Sequence, residues 1–416
     1  MNPVLPREHF VPDSEARVMP DGRLYVYGSY DISGRESYCS NIYKVFSTDD
    51  LVHWHDHGTA FSVKDIPWAS ETSLLYAPDC IHRDGKYYLY FCLSDNTEGV
   101  AVSDCPYGPF KNPTRIQYAS GDGIDPAIFV DDDHKAYYYW GQFSLRAAEM
   151  NADMKTLEKE TAVHNLLDEM RHGFHEGASL RKYKNTYILL YTCILRGKAT
   201  CLAHATSSHP LGPYTYRGIV IDNIGVDPQT WNNHGSIECF NGKWYVFYHR
   251  SSQNSCFSRR LCIEPIEISD DGFIKEVLPT SQGTQPPFPA EYALDASHAC
   301  RLGGWGTNPF IGPDKTLQNQ EVIQNASENG WAVFRYLDFS KKLNRVTVVC
   351  ASDVCGAIEI LADDQKISEI RIEDTSMKYS SFSSPAKEIS GVRTLYLHWN
   401  FPGGSAKILT LHFKAE

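Results

Sequence analysis

The chain has 416 residues, 42% of them hydrophobic and 22% charged. That is enough apolar material for two or three packed domains, or one large all-β domain with a smaller partner, and it excludes a disordered chain. A formal net charge of −12 argues against a nucleic-acid or anionic-membrane partner.

The first fifteen residues show no basic segment running into an apolar one, and no run approaches the ~18 apolar residues of a membrane-spanning helix. The twelve cysteines are scattered, without a CxxC pair, and read as reduced small residues. A cytoplasmic location is the expectation. Tyr (25), Phe (19) and Trp (8) are abundant, which suits strands and sugar-stacking surfaces.

Five segments then recur along the chain: DGRLYVYGS from residue 21, DGKYYLYFC from 84, DHKAYYYWG from 133, KNTYILLYT from 184 and NGKWYVFYH from 241. Each is a turn pair followed by a β-branched and aromatic run, which is hairpin chemistry. A shorter strand precedes each one, opened by Asp13, Asp79, Asp125, Glu176 and His234. A third piece follows at least four of them. Three or four strands per unit, repeated five times, predict an all-β chain with a five-bladed β-propeller over residues 1–285. One exception is 165–174, which reads as a single helical turn.

The first strand of a propeller blade lines the axis. Matched blade-opening residues therefore converge at one end of it. Singly, Asp13, Asp125 and Glu176 read as turn residues at strand starts. Together, four carboxylates and a histidine raise at least one pKa by mutual repulsion and form a candidate catalytic set. Two carboxylates flanking a sugar-sized pocket match glycoside hydrolysis. One is protonated and donates to the leaving oxygen; the other is ionised and activates water. Blades one and four are not adjacent in a ring of five, so Asp13 and Glu176 face each other, which suits the wider, inverting separation. His175-Glu176 also looks like the start of a zinc-protease helix, but four residues after His175 stands Ser179, so that reading fails. His53, His55 and His57 share a strand face at a spacing that fits zinc as well as an ordinary blade edge.

Beyond the Pro-rich break at 279–291, short alternating strands predict a β-sandwich over 286–416.

NPVLP…PDSEARV, GIDPAIFVDDD, HEGASL and NNHGSI…NGKWYVFYHR resemble, in order and spacing, glycoside hydrolase family 43. The resemblance covers about two-thirds of the chain. It implies a five-bladed propeller that hydrolyses terminal xylose or arabinofuranose units with inversion. Asp13 then matches the general base, Glu176 the general acid and Asp125 the carboxylate that tunes and orients the acid. Ser14 and Ala178 depart from the family, which often has Pro at both places. The resemblance further implies His234 as ligand to an axial calcium or similar ion, completed by water. Tyr76, Asp79, Trp140, Gln142, Phe143 and Arg260 (or Arg259) are the expected substrate-binding walls. The C-terminal third resembles carbohydrate-binding module family 6, a jelly-roll sandwich, with Trp331 and Tyr379 as candidate binding aromatics. The expected activity is an exo-glycosidase of arabinoxylan or xylan oligosaccharides, acting without a cofactor for the chemistry. An endo-arabinanase and a non-catalytic sugar-binding propeller are the alternatives. Neither nucleic acid nor membrane is an expected partner.

Overall fold

The computed structural model describes residues 1–117, 123–305 and 308–415. Four antiparallel sheets of four strands and one of three make up the first part of the chain, and two six-stranded sheets the rest. The hairpins follow from their turn residues. Asp84-Gly85 and Asn241-Gly242 both hold positive φ at two successive positions (50° and 74°; 50° and 75°), the type I′ geometry that matches strand twist. The aromatic runs after them form second strands such as Lys86–Cys92 and Lys243–Ser252.

The five innermost strands are Glu15–Val18, Asp79–Arg83, Ala127–Val130, Phe174–Tyr183 and Ser236–Phe240. Each lies beside the next, and the fifth lies beside the first, so the sheets close into a ring. The apolar core is divided the same way. One cluster fills each junction between neighbouring blades, including Val26, Phe46, Phe247 and Ile263 between blades five and one. The N-terminal segment fastens that junction: Val4 N donates to Leu261 O at 3.1 Å, and Ile263 N to Asn2 Oδ1 at 3.0 Å. Closure of this kind leaves only short sheet edges, protected by the neighbouring blades.

The single helical turn over 165–174 is Glu169–His172. The Asp168 side chain caps it by accepting from Arg171 N at 2.7 Å, and Gly173 ends it at φ 66°. All twelve cysteines are free thiols. Among the described residues, no helix is long and apolar enough to cross a membrane.

Strands from Phe288 onward build two facing sheets around one core containing Phe334, Leu397, Trp399 and Phe413. This sandwich is tied to the propeller by buried contacts. Arg260 forks onto Glu321 at 2.6 and 2.7 Å, and Arg335 Nη1 donates to Pro279 O at 3.0 Å.

Candidate active site

Asp13, Asp125, Glu176 and His234 line one recess of ≈ 260 Å³ at the end of the propeller axis, with Tyr76, Gln142 and Arg259. The backbone aims the carboxylates there. Asp13 and Asp125 occupy equivalent strand entries and hold left-handed φ of 53° and 56°, a strained conformation that clusters at functional sites. The fourth strand reaches the same end through a bulge at Glu176 and Gly177, with Gly177 at φ 59°. A Cβ on Gly177 would lie 2.7 Å from the His234 ring, so only glycine lets strand and imidazole approach this closely.

The two buried aspartates have opposite surroundings. Arg259 Nη1 donates to Asp13 Oδ1 at 2.9 Å. Burial pushes the Asp13 pKa up, but the Arg259 guanidinium outweighs burial and holds the carboxyl below the ordinary range. Asp31 holds Arg259 in turn, accepting from its Nε and Nη2 at 2.9 and 3.0 Å. His249 beneath Asp13 is buried and, first by desolvation and then by Arg259, pushed down to about 3. It is therefore neutral: its Nδ1 accepts from Asp13 N at 3.4 Å, which leaves Nε2–H to donate to Asn232 O at 3.0 Å. Among the described residues Asp125 pairs with no arginine or lysine; the basic ring beside it is His234, with Nδ1 at 3.8 Å. Burial, then the charges of Glu176 and Asp13, raise its pKa well above the carboxylate range, although Gly177 N donates to its Oδ2 at 3.1 Å. Glu176 Oε2 accepts from Gln142 Nε2 at 2.8 Å.

Four expected wall residues stand elsewhere. Asp79, 1% exposed, is two residues too deep. It pairs across its hairpin with Tyr90, as Glu15 pairs with Tyr27, so its repeat equivalent is Glu15 rather than Asp13. Ala77 holds the equivalent place at the recess. Asp79 instead takes a bidentate ion pair from Arg17 at 2.7 and 3.1 Å. With Arg181, which contacts Glu15 at 2.6 Å and Glu238 at 2.9 Å, this fills the axis below the recess with paired charges. Trp140, 2% exposed, packs between blades two and three with Tyr90 and Tyr138. Phe143 is exposed and packs edge-on to His175, outside the recess lining. Arg260 points to the opposite face of its strand and meets the sandwich, while its neighbour Arg259 enters the site.

Residue patterns did not reveal Tyr38, His175, Trp231 or Asn232, which also line the recess. They lie outside the repeated segments or, as with His175, on a strand parity that a bulge resets.

His234 Nδ1 lies 3.8 Å from Asp125 Oδ2 and 4.0 Å from Asp13 Oδ1. Among the described residues no three His, Cys, Asp or Glu side chains converge as a metal cage. One imidazole nitrogen does not fit a protein-held calcium site, since that ion takes six to eight oxygens. The histidines 53, 55 and 57 are engaged otherwise: His53 with Asp50 at 2.7 Å, His57 stacked on Tyr107 with centroids 4.5 Å apart, and His55 edge-on to His57 at 4.4 Å. Trp331 lines a separate hollow on the sandwich, whereas Tyr379 donates to Asp314 at 2.8 Å and does not line that hollow.

The chain is similar over its whole length to a xylosidase/arabinosidase of Thermoclostridium stercorarium, at 30% identity covering 99% of this chain and 98% of that one. It is similar in structure to a family 43 β-xylosidase/α-arabinofuranosidase from a compost metagenome, solved with xylotriose. That match has a TM-score of 0.58 and 33% identity, over 67% of this chain and 97% of the other. An arabinoxylan arabinofuranohydrolase of Bacillus subtilis, 21% identical, shares the fold over 100% of this chain and 97% of its own at a TM-score of 0.56. The family model for glycosyl hydrolases family 43 matches residues 1–274, the stretch that carries all five blades. The chain belongs to glycosyl hydrolases family 43.

Proposed function

We propose that this protein is an inverting exo-glycosidase that removes terminal α-L-arabinofuranosyl or β-D-xylosyl units from arabinoxylan and xylan oligosaccharides. One observation carries the mechanism. Asp13 and Asp125 sit in the same recess with pKa values driven in opposite directions, Asp13 down and Asp125 up. The split marks Asp13 as the ionised base and sets Asp125 apart as a modulator; the acid role goes to Glu176, the remaining carboxyl that lines the recess.

Asp13, kept ionised by Arg259, takes a proton from water as the water oxygen attacks the anomeric carbon. The bond from that carbon to the leaving oxygen breaks, and Glu176 gives that oxygen its proton. Asp125, which keeps its own proton to higher pH, limits the negative charge facing Glu176 and fixes the strand entry through Gly177 N. Gln142 orients the Glu176 carboxyl. Solvent then removes the proton from Asp13 and restores the one on Glu176.

A recess of ≈ 260 Å³ lies below the ~300–1,000 Å³ of ordinary small-molecule sites and suits one sugar ring entering end-on. That favours exo action over an endo-acting groove. The similar proteins named for xylosidase and arabinosidase activities support both sugars as substrates.

Asp13→Asn and Glu176→Gln are each expected to lower kcat on aryl xyloside and arabinofuranoside about 10²–10⁴-fold while the unfolding temperature holds. Proton NMR of the first-formed sugar is expected to show inverted configuration. Near-normal turnover in either variant removes that residue's role, and retention removes the water-activating base.

A further inference from the structure

A recess for one ring leaves the next sugar outside it, at the mouth. The residue there with the most exposed aromatic surface is Trp231. It lines the recess yet is 61% exposed. Exposed aromatics are ordinary when scattered on a surface. Trp231 differs in the rigidity of the chain that carries it.

On its C-terminal side, Asn232 O accepts from Asn223 Nδ2 at 2.9 Å, and Asn233 N donates to Ala199 O at 2.7 Å. On its N-terminal side, Thr230 N donates to Asp227 O at 3.0 Å. The start of the same loop is held partly by the sandwich. Leu302 N donates to Gly225 O at 3.0 Å. Arg250 bridges the two parts, donating to Val226 O at 3.0 Å and Ala299 O at 2.7 Å. Lys198 adds a cation–π contact, its Nζ 5.8 Å from the ring centroid. The indole is thus presented on a braced loop, so little conformational entropy is lost when a ligand stacks on it.

We propose that Trp231 is the stacking platform for the sugar that bears the scissile oxygen, on a loop that the C-terminal sandwich braces. The C–H face of a pyranose is apolar and pairs with an indole face, so the residue selects an oligosaccharide leaving group over a small one. The proposal rests on the glycosidase reading above.

The test compares kcat/KM on xylobiose and xylotriose with kcat/KM on β-D-xylosyl fluoride, whose leaving group occupies no second sugar position. Trp231→Ala is expected to lower the oligosaccharide-to-fluoride ratio about tenfold, the weight of one aromatic stack, and Trp231→Phe to recover most of it. An unchanged ratio overturns the proposal, whether both rates fall together or neither falls. Thermal unfolding of each variant checks that the loop change has not unfolded the protein. If the native enzyme hydrolyses neither class of substrate, nor aryl arabinofuranoside and arabinoxylan oligosaccharides, the glycosidase reading itself fails, and this is seen before any variant is compared; activity on the arabinofuranosyl pair alone moves the same ratio test to that pair.

Discussion

At the scale of single residues, the site is governed by which cation reaches which carboxylate. Arg259 is clamped between Asp31 and Asp13, and its charge outweighs the burial that would otherwise keep Asp13 protonated. The sign of its removal follows. Without the guanidinium the ionised form of Asp13 loses its stabilising partner, its pKa rises, and the carboxylate proposed as base takes up its proton at higher pH. Arg259→Met is therefore expected to move the acid limb of the kcat/KM profile up by about 1–3 pH units, the range an adjacent arginine supplies. An acid limb that stays in place would show that Asp13 is not the group titrating there. The sequence offered two adjacent arginines, and only strand parity distinguishes the one in the site from the one that joins the domains.

At the scale of elements, three of the five axial strands enter the ring through an unusual backbone step. Left-handed Asp13 and Asp125 and the bulge at Gly177 turn side chains toward the recess that regular strands would send to the blade interior. Gly177→Ala tests this. Positive φ and a Cβ facing the His234 ring force strand and imidazole apart, since the ring is packed against the axis. A stability loss of about 1 kcal/mol is expected from the backbone alone, together with a fall in kcat of at least ~10-fold as Glu176 shifts from its aim. Unfolding curves and turnover measured on one preparation separate the two effects. Unchanged turnover would mean that Glu176 is positioned without the bulge. The repeated hairpins were legible as strands because alternation and turn pairs are local. The bulge was not, because the glycine in HEGASL marks a tight strand entry as readily as a bulge.

At the scale of the whole molecule, the propeller and the sandwich meet through buried polar contacts rather than a linker alone. Arg260 and Glu321 form a bidentate pair in which both side chains are largely hidden from water, at 5% and 10% exposure. Glu321→Ala leaves the guanidinium buried with, among the described residues, Arg7 O as its remaining acceptor, so a loss of about 3–5 kcal/mol is expected in chemical unfolding. The double change Arg260→Met with Glu321→Leu is expected to recover most of it, because no lone charge then remains buried. Full stability in the single variant would show that the interface does not depend on this pair. Arg250 extends the same interface to the loop of Trp231, which gives the second domain a structural route to the mouth of the recess.

The properties legible in one dimension are those that repeat along the chain. These are the five hairpins, the strand-opening Asp13, Asp125, Glu176 and His234, and the change to a different pattern after the Pro-rich break. Periodicity and turn chemistry are local, so they survive reading in one dimension. The remaining placements depend on register and ring closure. Asp79 looked equivalent to Asp13 because both follow a proline. Hairpin pairing instead places it one level down the axis, where Arg17 neutralises it. Trp140 ended in a blade junction, Arg260 at the domain interface and Trp231 at the mouth, since a side chain's partners are set by which strands and loops the closed ring brings together.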